Sequence, residues 1–138
     1  MKVTSCLVSM AAAFLLAALL GCSDVSAGPS DSTIHGCILD AIDHPAIGVE
    51  RKNVAMGMEI GSTIIDHIAI NGVFDNGGGW IVNSVITIGS KDVFTTAEDV
   101  AATARMFGFQ QKNGYLLQDV EVDYLFEEER NGWSCYEL

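Results

Sequence analysis

Asp119–Phe126, with the sequence DVEVDYLF, is the stretch that decides the fold, because acidic and apolar residues alternate along most of it. The alternating apolar side chains would share one face of an extended strand: Val120, Val122, Tyr124 and Phe126. The acidic side chains would share the other face: Asp119, Glu121 and Asp123. Such alternation is typical of a strand with one buried and one solvated face, which is common in antiparallel sheets.

Turn signals lie on both sides of this strand. Asn113-Gly114 precedes it and Asn131-Gly132 follows it, and Asn-Gly is the dipeptide that two-residue hairpin turns prefer. Further upstream, Trp80–Ile88 is rich in β-branched residues and lies between a Gly-Gly-Gly run and a Gly-Ser-Lys-Asp run. The sequence therefore predicts several antiparallel strands joined by short turns.

One helix has clear start and stop signals. Thr95-Thr96-Ala97-Glu98 fits a capping box, with Thr95 accepting a hydrogen bond from the backbone of Glu98. The apolar side chains that follow share one helical face: Ala97, Val100, Ala101, Ala104 and Phe107. Because Gly108 is a favourable end residue, we predict a helix from about residue 96 to residue 107.

A shorter apolar pattern extends from Ile34 to Ile42 and fits a second helix, with Asp31 or Ser32 as its cap. A strand is the alternative for this segment, and Gly36 disfavours both. Taken together, the elements predict an α+β fold, in which a mostly antiparallel sheet packs on one or two helices.

The N-terminus has the pattern of an export signal. Met1-Lys2 supplies a positive charge, and Leu7–Leu20 is a run of 14 residues without any charge. A membrane-spanning helix needs roughly 20 apolar residues, so this run is too short to span. A basic start, a short apolar run and then small residues predict a secretory signal peptide.

The end of the apolar run, Leu19-Leu20-Gly21-Cys22, resembles the lipobox of bacterial lipoproteins. The resemblance implies that Cys22 becomes the first mature residue and carries diacylglycerol, usually with a third acyl chain in Gram-negative cells. Several acyl chains would give stable membrane anchoring. Ser23 resembles the signal for the outer membrane in such cells. The alternative is cleavage after Ala27, which would release a soluble secreted protein.

These signals divide the chain into three parts. Residues 1–21 are the predicted signal peptide, and residues 22–32 are small, polar and interrupted by Gly-Pro. The latter composition predicts a flexible, lipid-anchored tether. Residues 33–138 then form a single α+β domain.

The four cysteines divide in the same way. Cys6 would leave with the signal peptide and Cys22 would carry lipid, so Cys37 and Cys135 remain in the domain. In an oxidising compartment they predict a disulfide across 98 residues of chain. Such a long loop would gain up to about 4–5 kcal/mol of stability.

The charge of the mature chain excludes some functions. Without residues 1–21, 117 residues remain, with six basic and eighteen acidic side chains and a formal charge of −12. This balance excludes binding to nucleic acid, and to anionic lipid through protein charge. It favours cationic partners, although the same charge would also serve solubility alone.

Two Asp-His dipeptides, Asp43-His44 and Asp66-His67, are the sequence's nearest approach to catalytic or metal-binding residues. Neighbouring residues on a strand point to opposite faces, so Asp43 would not orient His44 there. Together with His35 they form no recognised metal-ligand spacing. We therefore predict surface or structural histidines, no metal, no cofactor and no catalytic residue. Asp75–Gly79 likewise predicts only a hairpin loop.

The acidic C-terminal end is the best functional candidate. From residue 119 to residue 138 there are seven carboxylates and one cation, Arg130. Two aromatic residues, which often anchor interfaces, lie beside them. The predicted partner surface is Asp119, Glu121, Asp123, Glu127, Glu128, Glu129, Trp133 and Tyr136. The alternative is a solvated strand face whose charge discourages edge pairing.

The sequence thus favours a cell-envelope lipoprotein, held to a membrane through Cys22, whose small acidic domain binds another protein without being an enzyme. A secreted or periplasmic inhibitor of the immunity-protein type, covering a cationic partner, is the alternative. A small hydrolase or metal-dependent enzyme using the Asp-His pairs ranks third.

Overall fold

The computed structural model describes residues 27–138, and the predicted signal peptide and Cys22 lie outside this range. The two helices are α1 (Asp31–Ala41) and α2 (Ala97–Phe107). The six strands are β1 (Arg51–Ala55), β2 (Met58–Asp75), β3 (Trp80–Asp92), β4 (Gln110–Lys112), β5 (Tyr115–Glu129) and β6 (Gly132–Glu137). Within the described range, no helix has the length and apolarity needed to cross a membrane.

All six strands form one antiparallel sheet, in the order β1-β2-β3-β5-β4, with β6 also paired to β5. Strand β3 occupies one edge of β5. The other edge of β5 is shared, because β4 pairs with Tyr115–Leu117 and β6 pairs with Tyr124–Glu129. The predicted antiparallel sheet with two helices is confirmed.

The predicted alternation along β5 is also confirmed. Tyr124 and Phe126 are almost completely buried, whereas Asp119, Glu121 and Asp123 are exposed. The central core joins two residues of α1 to six residues of the sheet: Ile34, Ile38, Ile65, Ile68, Val82, Ile86, Tyr124 and Phe126. The face of the sheet that carries Tyr124 and Phe126, here called the core face, therefore lies against α1.

The hairpin turns follow the sequence closely but not in every detail. Asn113 and Gly114 both have positive φ angles and join β4 to β5 as predicted. In the last hairpin, Glu129 pairs with Gly132, so the loop residues are Arg130 and Asn131 rather than Asn131-Gly132. The β1–β2 turn, Met56-Gly57, was not predicted, because methionine is a poor indicator of its positive φ of 52°.

Helix α1 begins earlier than the sequence predicted. Ser30 is its cap and accepts a hydrogen bond from the backbone N–H of Thr33 at 3.3 Å, so the predicted cap at Asp31 or Ser32 is wrong. Pro29 is buried, and a Cβ atom on Gly28 would lie 2.9 Å from the Trp80 ring. Gly28 and Pro29 therefore pack against the domain, Ser30 caps α1, and Asp31 and Ser32 belong to α1, whereas their polar composition predicted a tether.

Helix α2 has its capping box one residue later than predicted. Thr96 accepts from the N–H of Asp99 at 3.2 Å, and the Asp99 carboxylate accepts from the N–H of Thr96 at 3.1 Å. Thr95 belongs to the preceding turn, since its N–H donates to the Asp92 carbonyl. The predicted Thr95–Glu98 box is therefore wrong, whereas the predicted end at Gly108 is confirmed.

The predicted disulfide between Cys37 and Cys135 is present, with 6.2 Å between the two Cα atoms. It ties α1 to β6, and both cysteines pack against the core. The bond thus joins the start of the fold to its last strand across 98 residues.

Replacing both Cys37 and Cys135 with serine should lower the free energy of unfolding by roughly 2–5 kcal/mol, the usual cost of removing a native disulfide from a small exported domain. Urea denaturation of the variant and of the wild type, each with and without reductant, measures this loss. Reductant should destabilise only the wild type. Equal stability of oxidised wild type and variant would contradict the assignment.

Thr96→Ala should cost about 1 kcal/mol of stability because it removes the N-cap, whereas Thr95→Ala, the matched control, should have little effect. Urea denaturation of both variants and of the wild type measures the difference.

Hydrogen bonds from Thr96 lower the pKa of Asp99 below its ordinary value. The ionised carboxylate therefore stabilises the fold at neutral pH, and this contribution disappears as the pH falls through the folded-state pKa, which lies below the ordinary value of an aspartate. Urea denaturation of Asp99→Asn against wild type should accordingly show a difference at pH 7 that shrinks towards pH 3.

Candidate functional site

Five carboxylates lie along one face of β5, opposite the core face. They occupy odd-numbered positions, and the register with β3 and β6 contains no irregularity that would turn any of them over. Successive members two residues apart are spaced by about 6.8 Å. We call this set the acidic row: Asp119, Glu121, Asp123, Glu127 and Glu129.

Polar side chains of β3 hold two members of the row in place. The Thr87 hydroxyl donates to the Asp119 carboxylate at 2.6 Å, and the Asn83 amide donates to the Asp123 carboxylate at 2.6 Å. Glu121, which lies between them, is paired with Val85 and has no such donor opposite it. Asp119 and Asp123 are thus held by hydrogen bonds from β3, whereas Glu121 accepts no hydrogen bond from the β3 side chain opposite it.

The basic side chains of the domain do not pair with the row, although Lys91 and Lys112 project from the same face of the sheet near Tyr115. Four ion pairs occur among residues 27–138, and none includes a member of the acidic row: Arg51–Asp43, Lys52–Glu59, Lys91–Glu50 and Lys112–Asp66. Within the same range, Arg105 and Arg130 form no ion pair. The negative charge of the row is thus not neutralised by ion pairs within the described domain.

An open acidic cleft of about 530 Å³ adjoins one end of the row. It lies between the β2–β3 loop and the end of β5, and is lined by Asp75, Gly77, Gly78, Gly79, Trp80, Glu127, Glu128 and Glu129. The Asp75 carboxylate caps the loop by accepting from the N–H of Gly77 at 2.7 Å. The predicted hairpin loop at Asp75–Gly79 is thereby confirmed.

The structure separates the eight predicted surface residues into two groups. Tyr136 pairs with Leu125 and therefore shares the face of the acidic row. Glu128 pairs with Trp133, which places both on the core face, and Trp133 packs against the core. Glu128 and Trp133 therefore do not belong to the same surface as the row, because adjacent strand residues alternate between faces.

Apolar residues from β2 and β3 complete this surface, and the sequence did not predict them. Val85 pairs with Ala69 and Glu121, and Ile81 pairs with Phe74 and Leu125. Phe74 is 55% exposed and Tyr136 is 51% exposed. Two register shifts in β2, at residues 66 and 71, determine which of its side chains share this face, and no local sequence pattern predicts them.

In each Asp-His dipeptide the carboxylate pairs with a cation rather than with the neighbouring histidine. The Asp43 carboxylate binds Arg51 at 2.7 Å, and the Asp66 carboxylate binds Lys112 at 2.8 Å. His67 is exposed, whereas His44 is buried and its two ring nitrogens have no hydrogen-bond partner among residues 27–138. In that range no group of three or more His, Cys, Asp or Glu side chains is arranged to hold a metal ion.

One polar cluster was not anticipated. The Ser62 hydroxyl lies 3.4 Å from that of Tyr115, and the Lys91 ammonium lies 4.5 Å from the Tyr115 ring centre and 3.5 Å from Glu50. Hydrogen bonding to Tyr115 raises the pKa of Lys91, and hydrogen bonds from Ser62 and Tyr115 lower the pKa of Glu50. Both shifts favour the charged forms, so Lys91 and Glu50 form an ion pair beside the Tyr115 ring.

Comparison with known proteins finds no matching family model, no matching curated protein and no matching solved structure.

Proposed function

We propose that this chain is a cell-envelope lipoprotein, anchored through lipid on Cys22, whose domain is not an enzyme and binds a cationic protein through the acidic row. The observation that carries the proposal is the alignment of five carboxylates on one sheet face, where no cation of the described domain forms an ion pair with them.

The chemistry of the surface suits a basic partner. Aligned carboxylates repel one another, and lysine or arginine side chains of a partner would relieve that repulsion. Such complementarity accelerates encounter and selects cationic partners over others. Val85 and Leu125 are half-buried on this face, and the exposed Phe74 and Tyr136 supply aromatic surface of the kind that anchors interfaces.

The proposed anchor also limits where this surface can lie. Gly28 packs against Trp80, and Trp80 lines the acidic cleft. Cys22 and Gly28 are six positions apart in the sequence, and a fully extended chain of that length spans at most about 20 Å. A lipidated Cys22 would therefore hold the acidic cleft within about 20 Å of the membrane surface.

The packing of Gly28 also favours a second candidate, the soluble inhibitor. Cleavage after Ala27 would make Gly28 the first residue, and the mature chain would then begin at a residue that packs against Trp80. The same acidic row would cover a cationic toxin or enzyme. The two candidates share the surface and differ in their attachment to the membrane.

Glu121→Gln, Glu127→Gln and Glu129→Gln, combined in one variant, should weaken partner binding at least tenfold. The matched control, Asp31→Asn, Asp40→Asn and Glu98→Gln, removes the same charge from helices α1 and α2 and should bind as the wild type does. Partners are cross-linked to the full chain on cells, identified, and their affinity measured at low and high salt. Equal affinity of the two variants would refute the acidic row as the binding surface, even if a partner is found.

The mature N-terminus should begin at Cys22 with attached acyl chains, and the protein should fractionate with membranes. Intact-mass spectrometry of the chain purified from its host measures this directly. Cys22→Ser should abolish the lipid mass and release the protein from the membrane fraction. An unmodified chain starting at Gly28 would exclude the lipoprotein and leave the soluble inhibitor.

A further inference from the structure

A second cleft, on the opposite side of the sheet from the acidic row, has a different chemistry. It has a volume of about 550 Å³, within the range of small-molecule sites. Its walls come from the end of α1, the connection to β1, and strands β1, β2 and β3. The lining residues are Ile42, His44, Arg51, Lys52, Asn53, Val54, Thr63, Ile65 and Ile88.

Arg51 is the cation that this cleft offers to a ligand. It pairs with Thr63, which places its side chain on the core face, whereas Lys52 pairs with Ser62 and therefore points to the opposite face. Arg51 donates to the Asp43 carbonyl and, at 2.7 Å, to the Asp43 carboxylate. A guanidinium group has five N–H donors, so three remain for a ligand.

His44 is the unusual residue of the lining. It is only 7% exposed, and both ring nitrogens are buried without a hydrogen-bond partner among the described residues. Its backbone N–H donates to the Leu39 carbonyl at 2.8 Å, which fixes the residue at the end of α1. A buried polar group without a partner opposes folding, so this arrangement has a cost that a ligand can recover.

His44 lines the cleft, and binding through its imidazole requires the ring to turn. The torsion about the Cβ–Cγ bond of histidine is broad, so the ring has the freedom to do so. Ile42, Ile65 and Ile88 supply apolar surface beside it. A polar head at His44 and Arg51 would thus be continuous with an apolar body on the isoleucines.

We propose that this cleft binds a small organic anion with a carboxylate head and an aliphatic body. The carboxylate accepts hydrogen bonds from Arg51 and His44, and the aliphatic body packs on Ile65 and Ile88. This site is independent of the acidic row, and it stands or falls separately from the proposed partner binding.

Hexanoate is a suitable probe, and it is titrated into the ¹⁵N-labelled full chain, held in lipid nanodiscs where it carries acyl chains. The imidazole signals of His44 should shift to saturation, whereas those of His35 and His67 should stay unchanged. Hexanol, acetate and hexylammonium separate the contributions of charge and chain, and each should bind at least tenfold more weakly. Unmoved His44 signals, or binding of hexylammonium as tight as that of hexanoate, would refute the proposal.

Two variants distinguish a ligand site from a merely structural histidine. His44→Leu should raise the melting temperature, because it removes the unpaired polar group, and should weaken hexanoate binding at least tenfold. His67→Leu, the matched control at an exposed histidine, should bind as the wild type does. Arg51→Met tests the head-group contact separately, and decides the question if His44→Leu does not fold. Undiminished hexanoate binding by Arg51→Met would overturn the proposed site.

Discussion

The pairing of β3 with β5 is the constraint on which the rest of the structure depends. It runs without a register shift from Trp80–Phe126 to Ser90–Leu116. Because side chains alternate between faces, this one register places Tyr124 and Phe126 in the core and the acidic row on the opposite face. A slip of one residue would exchange the two faces and bury carboxylates, so the core and the candidate site are specified together.

Much of this could be predicted because its signals are local. The alternation of β5, the Asn113-Gly114 turn and the end of α2 at Gly108 each depend on a few adjacent residues. The cap of α2 was misplaced by one residue because Thr95–Glu98 and Thr96–Asp99 both fit the pattern. Only the preceding turn, in which Thr95 bonds to Asp92, decides between them.

The features that the sequence did not predict depend on contacts between segments that are far apart in the chain. Strand β2 is 18 residues long, yet its register shifts at residues 66 and 71 interrupt the two-residue period that identifies a strand. The carboxylates of the acidic row were predicted from β5 alone. The contributions of Phe74 and Val85, and the exclusion of Trp133, follow only from the register with β2, β3 and β6.

The arrangement of charge, rather than its amount, argues for a binding surface. Solubility depends on net charge. The same number of carboxylates dispersed over the domain would give the same net charge with less mutual repulsion. Here four of the cations are paired with carboxylates outside the row, while the row itself stays unneutralised within the described domain. The buried core and the Cys37–Cys135 bond stabilise the fold without any help from the row. Thr87 and Asn83 order two carboxylates of the row without neutralising their charge, an arrangement that binding of a cationic partner would use and that solubility does not require.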